Sequence, residues 1–241
     1  VETRTLNNGN LILEDVPNVP EEIKKELKGY QNIRSASFRG FKPDNEGVFI
    51  STRFGDVGQL HVVNKPLGMR KQVTFFDEPI GSVSVQPNGG LIAFTMDSGG
   101  SENAQIYVMN PENGRTVLVS DGESRNGSVL WSRDGKKIAF GTTRRNGASN
   151  DVWVMDYKYP EQAKMVFASP DGTSWTPADW SKDSKKILLQ NYISVTSSRI
   201  FIVDTETGES ELVTDKEDSS NLALAFGASG RGFFFLTDQF G

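Results

Sequence analysis

The chain alternates short apolar runs with clusters of turn-forming residues over most of its length. QLHVVN (59–64), QIYVMN (105–110), DVWVMD (151–156) and RIFIVD (199–204) are rich in β-branched and aromatic residues and hold no helix breaker, so each predicts a strand. A second series runs in step with the first: FKPDNEGVFI (41–50), VQPNGGLIAF (85–94), WSRDGKKIAF (131–140), WSKDSKKILL (180–189) and FGASGRGFFF (226–235). Each of these reads as the end of one strand, a tight turn and the start of the next. Their first residues are 44, 46, 49 and 46 positions apart. Turn residues at 110–114 and 204–208 then lead into the short apolar runs TVLVS (116–120) and SELVT (210–214).

Four short strands in about 46 residues cannot bury both faces of their own sheet. Stacking such sheets around an axis solves the problem, and the fold class predicted is all-β: a β-propeller of four-stranded blades. A sandwich does not demand the sequence echo. The predicted blades lie near 33–79, 80–125, 126–173 and 174–219, with a partial blade at 220–241, so the propeller is partial. Trp131 and Trp180 end the inner strands of the third and fourth units, where Phe41, Val85 and Phe226 stand in the others. Bulky residues there are expected to fill the wedge between blades.

Residues 1–32 precede the repeat. TRTL-NNGN-LILE (3–14) predicts a hairpin, and PNVPEEIKKELKGY (17–30) predicts a short helix opened by Pro20, Glu21 and Glu22. Ile23, Leu27 and Tyr30 make one apolar stripe, expected to pack on the rim or base of the propeller, with docking of another domain as the alternative. The two-stranded remnant at the end has two explanations: a piece cut from a longer protein, which is favoured, or completion by the N-terminal hairpin. An open arc would expose apolar surface at both ends and invite self-association.

Composition narrows the functional classes. A chain of 241 residues with 36% hydrophobic and 24% charged positions can bury a core. A net charge of −5, with 26 basic against 31 acidic residues, argues against a nucleic-acid partner. No apolar run reaches the roughly 18–20 residues of a membrane-spanning helix, so no membrane partner is expected. There is no cysteine, which removes disulfides and thiolate metal sites. The reading favours the cytoplasm and leaves the periplasm open; no signal peptide is visible, and because the first residue is Val1 a leader could have been removed.

Few residues can carry chemistry. His61, the one histidine, stands in QLHVVN where the other units have Tyr107, Trp153 and Phe201, which marks it as a structural ring rather than a base. Without a second candidate, a Ser-His-Asp triad has no base, no G-x-S-x-G elbow is present, and a zinc site has no ligand set. No catalytic residue, metal or cofactor is therefore predicted. The loop DSGGSEN (97–103) offers Asp97 and Glu102 to a cation or an amine, though a solvated turn suits it better, and SRNG (124–127) reads as a blade-to-blade turn. Arg144 and Arg145 could clamp a carboxylate. Loops joining second to third strands emerge on one face of a propeller together with the blade-to-blade linkers. Here they are 53–58, 96–104, 143–150 and 190–198, which adds Arg53 to the candidate contact residues.

The repeat resembles those of Tol-system periplasmic propellers and of prolyl-oligopeptidase-type serine peptidases. GYQNIRSASF (29–38), STRFGDVGQLHVV (51–63), QVTFFDEPIGSVS (72–84) and SRNGSVLWSRDGKKIAF (124–140) are most similar to the latter, to bacterial members of the acylaminoacyl-peptidase or dipeptidyl-aminopeptidase kind. The resemblance implies a propeller that precedes a C-terminal α/β-hydrolase domain and gates or docks peptide substrates for it. It implies no catalytic residue in this chain. It also offers no match to the acidic pair with which dipeptidyl peptidases hold an amino terminus, since Glu21 and Glu22 precede the first blade. The alternative is a Tol-like binding module that recruits protein partners.

Overall fold

The structure, a computed structural model, describes residues 1–170, 172–214 and 219–240. Its repeat is built on turn chemistry. In WSRDGKKIAF the Ser132 hydroxyl donates to Asp134 Oδ1 (2.6 Å), which also accepts the Lys136 N–H (3.1 Å), while the Lys137 N–H donates to Ser132 Oγ (2.9 Å). WSKDSKKILL makes the same turn at the same distances through Ser181, Asp183, Lys185 and Lys186. The fifth residue of four of the five ten-residue segments takes left-handed backbone: φ is 57° at Asn45, 70° at Gly135, 58° at Ser184 and 76° at Gly230. Short polar side chains that satisfy nearby backbone donors close such turns without help from distant sequence.

A hairpin of β1 (Thr3–Leu6) and β2 (Leu11–Glu14) is followed by α1 (Glu21–Gln31). Blade one then comprises β3 (Ala36–Phe41), β4 (Val48–Thr52), β5 (Gln59–Val63) and β6 (Lys71–Gln72). Blade two comprises β7 (Ile80–Val85), β8 (Ile92–Met96), β9 (Gln105–Met109) and β10 (Thr116–Leu118). Blade three comprises β11 (Asn126–Trp131), β12 (Lys137–Thr142), β13 (Asp151–Asp156) and β14 (Tyr159–Phe167). Blade four comprises β15 (Ser174–Trp180), β16 (Lys186–Ser194), β17 (Ser197–Asp204) and β18 (Ser210–Leu212). Among the described residues, each blade is a four-stranded antiparallel meander, and β19 (Asn221–Phe226) pairs with β20 (Phe233–Thr237) in a two-stranded sheet.

Alternation along the strands divides the core between neighbouring blades. On β12, Ile138 and Phe140 pack with Ala93, Ile106 and Val108 of blade two, whereas Ala139, between them, packs with Trp175, Ile187 and Leu189 of blade four. Phe49, Leu60 and Val62 of blade one meet Ile92, Phe94 and Met109 of blade two in the same way, and Leu188 and Ile200 of blade four meet Ala223. Each fully buried side chain of this size contributes about 1.5–3 kcal/mol.

The tryptophans do fill the wedges. Trp131 is 5% exposed and Trp180 1%. Each indole N–H donates to a carbonyl of the preceding blade's inner strand, Trp131 to Ser84 O (3.1 Å) and Trp180 to Leu130 O (3.2 Å). Side chains add to these ties: Ser84 Oγ accepts the Trp131 N–H (3.2 Å), and Asp179 Oδ2 accepts the Phe226 N–H (2.8 Å). Phe41 differs. It is 63% exposed, on a side of blade one that no other described sheet covers, and its ring meets Phe38 edge-on at 5.1 Å.

Two further expectations and one alternative are corrected. The α1 stripe does not pack: Ile23, Leu27 and Tyr30 are all exposed and no residue of α1 is buried. Periodicity gives a helix an apolar side, but not a surface to cover it. Of the two explanations for the last sheet, the less favoured, completion by the hairpin, does not hold: among the described residues β1 and β2 pair with each other and not with β19 or β20. Its polar tip instead meets blade two, where Asn10 Nδ2 donates to Gly99 O. Finally, 190–198 is not a loop. β16 and β17 run on through it with pairing as far as Ser194–Ser197, because its β-branched and hydroxyl residues extend the hairpin.

Candidate binding face

The loops 53–58, 97–104 and 143–150 lie beside the blade-to-blade linkers, and hydrogen bonds join the two sets. Gln59, at the start of β5, donates to Phe76 O (3.0 Å) and Glu78 O (2.9 Å), and Gln105, at the start of β9, donates to Ser124 O (2.8 Å). Asn126 and Asn221 begin inner strands at the same place in the repeat. Asn126 ties to Ser124 O and Ala104 O, and Asn221 to Ser219 O and Ser198 O. These amides tie loops and strand starts to the blade-to-blade linkers, and none had been singled out from the sequence.

The five candidate residues sit on loops of three different blades and do not form one site. Arg53 donates to Gln31 O at the end of α1, and with Tyr30, Gln31 and Ile33 it lines a cavity of about 400 Å3. Asp97 accepts the Ser101 hydroxyl (2.5 Å) and the N–H groups of Ser98 (2.6 Å) and Glu102 (3.0 Å). Partial burial works to raise its pKa, but these donors, the Ser101 hydroxyl foremost, outweigh burial and hold the carboxyl below the ordinary aspartate range. Glu102 is exposed, with φ at 63°. The loop is less solvated than expected: Gly99 is buried under the hairpin tip, and Glu78 accepts its N–H at 2.7 Å.

Both loop arginines of blade three are engaged. Arg145 grips the buried Asp151 bidentately (2.7 and 2.9 Å) and also donates to Ser169 O (3.2 Å). Arg144 lies 3.6 Å from Asp121 Oδ2 and over the Trp153 ring, 5.1 Å from its centroid. Such contacts fix loop geometry rather than offer a vacant clamp.

His61 is 1% exposed; its Nδ1–H donates to Gln59 O (3.1 Å), and Phe54 lies 5.3 Å from the ring centroid. Burial, opposed by that hydrogen bond and assisted by the charge of Arg70, holds it below the usual histidine pKa. This is the environment of a structural ring. Among the described residues, no three His, Cys, Asp or Glu side chains converge as a metal site.

A cavity of about 320 Å3 opens between blades three and four. Arg125, Asn126, Gly127, Ala148, Asn150, Gly172, Thr173 and Ser174 line it. The sequence signal for it was faint: Gly127 in β11 pairs with Gly141 in β12, and a glycine inside a strand often marks a close approach.

The prolyl oligopeptidase N-terminal β-propeller domain matches residues 74–241. The chain belongs to this family. Members of the prolyl oligopeptidase family are peptidases whose propeller is paired with a catalytic domain. Solved structures share the architecture. A prolyl endopeptidase aligns with a TM-score of 0.68 at 13% identity, over 99% of this chain and 41% of its own. Oligopeptidase B from Leishmania major gives 0.64 at 12%, over 91% and 33%. TolB from Acinetobacter baumannii gives 0.62 at 20%, over 79% and 46%. At these identities the likeness is one of fold. This prolyl-oligopeptidase-type propeller spans less than half the length of each of the three. No curated protein sequence matches it.

Proposed function

We propose that this chain is the non-catalytic propeller portion of a serine peptidase, and that it gates or docks peptide substrates for a C-terminal α/β-hydrolase domain that is not among its 241 residues. The family match over 74–241 carries the reading. The burial of His61 supports it, since a buried ring bonded to Gln59 O offers no base to a serine. The face formed by 53–58, 97–104 and 143–150 is the surface assigned to substrate, with loops on a rigid scaffold available for contact.

The test uses a fluorophosphonate probe on two proteins: this chain, and the protein encoded by the full reading frame. The chain is expected to stay unlabelled, and the full protein to label at a serine in a G-x-S-x-G motif beyond residue 241. Labelling of the chain itself would refute the assignment. A full reading frame without such a serine would favour the Tol-like binding module, a reading that the TolB fold likeness supports only at the level of architecture.

A further inference from the structure

We propose that the cavity between blades three and four binds the C-terminal carboxylate of a short peptide, with Arg125 as its anion-binding group. This rests on the reading of the chain as the substrate-facing propeller of a peptidase, and it adds which end of the peptide is held and by what.

The arginines of this face separate by what they already hold. Arg53 is bonded to Gln31 O, Arg144 faces Asp121 and Trp153, and Arg145 is locked to Asp151. Arg125 is exposed, and its guanidinium has no hydrogen bond or ion pair among the described residues. The cavity it lines contains no carboxylate among its described lining residues. Asn126, which is buried, directs its amide hydrogens to Ala104 O (3.0 Å) and Ser124 O (2.7 Å). Asn150 donates to Trp175 O (2.8 Å). Each amide thereby keeps its Oδ1 as an acceptor.

One guanidinium with neutral acceptors among the described lining residues complements a peptide terminus: the carboxylate for Arg125, and backbone N–H groups for the amide oxygens. It complements a phosphate poorly, because the amide oxygens would face further anionic oxygens. The volume of about 320 Å3 is at the small end for ligand sites and suits the last residues of an extended peptide. Open space lies beside two of its glycines. A Cβ on Gly127 or Gly172 would meet no atom within 4 Å, and Gly127 has backbone that any residue can adopt.

The test is calorimetric titration of the chain with N-acetyl-trialanine, with its C-terminal amide, and with sodium acetate. The free acid is expected to bind about 10-fold more tightly than the amide, as one charge-assisted contact provides, and acetate to compete only weakly. Arg125→Gln should bring the acid down to the affinity of the amide and leave the amide unchanged. Gly127→Val should abolish binding of both at an unaltered melting temperature. The proposal is overturned by equal affinity for acid and amide, by wild-type binding in Arg125→Gln, by no measurable binding to the native chain, or by acetate competing as well as the peptide. Loss of the acid preference would leave the propeller assignment intact, whereas failure of the probe-labelling test would leave this equilibrium measurement standing.

Discussion

A single side chain shows how the repeat assigns roles. His61 occupies the position of Phe201, Tyr107 and Trp153, and it is buried like a core aromatic. Burial keeps its folded-state pKa below the ordinary value of about 6.5. An unfolded chain takes up the proton as pH falls through about 6.5, while the folded chain resists it. The stabilisation from a neutral, buried His61 is therefore complete above that pH and is lost progressively below it, down to the depressed folded value. Urea midpoints at pH 7.5 and 5.5 should accordingly fall further in the native chain than in His61→Phe. Equal pH slopes would mean that the ring is not desolvated.

Among elements, the same repeat position has different worth according to what lies against it. Trp131 is enclosed by blades two and three and bonds to Ser84 O, whereas Phe41 is 63% exposed and stacks edge-on with Phe38. Trp131→Ala should cost on the order of 3–5 kcal/mol, as large core truncations do. Phe41→Ala should cost less than about 1 kcal/mol, since little of its surface leaves water on folding. Denaturant titration of both variants tests the pair, and similar losses would contradict the wedge account. The inner strands, their turns and the β5, β9, β13 and β17 series were legible in the sequence, because local hydrogen bonds such as Ser132–Asp134 and Ser181–Asp183 recur with the same residues. The fate of the α1 stripe was not legible, since amphipathicity states a preference without naming a partner. The β16–β17 hairpin was misread because Ser194 to Ser197 resemble a loop in composition while their β-branched neighbours sustain pairing.

For the whole molecule, stability is distributed by neighbours. Each blade contacts the next, so blades two, three and four are covered on both sides, while blade one and the β19–β20 sheet are covered on one. In such a quasi-one-dimensional stack, opening begins at the ends. Hydrogen exchange should be slowest in β8, β12 and β16, faster in β3 and β20, and fastest in the two-stranded β1–β2 hairpin. Uniform protection across these strands would show that the chain opens only as a unit.

The candidate site divides along the same line. That 53–58, 97–104 and 143–150 are loops beside the blade-to-blade linkers followed from topology read off the repeat, whereas 190–198, expected to join them, is strand. Which arginine on that face is available did not follow from topology. Arg144 and Arg145 look free in TTRRNG and are engaged, while Arg125 looks like a turn residue in SRNG and its guanidinium has no partner among the described residues. The sequence by itself determined the blade, because turn closure and strand alternation depend on residues within about ten positions of one another. Only the tertiary structure decided the position of the hairpin, the exposure of α1 and which arginine of the face has no guanidinium partner among the described residues. Those depend on which charges, amides and apolar faces from distant segments meet, and no local pattern encodes that.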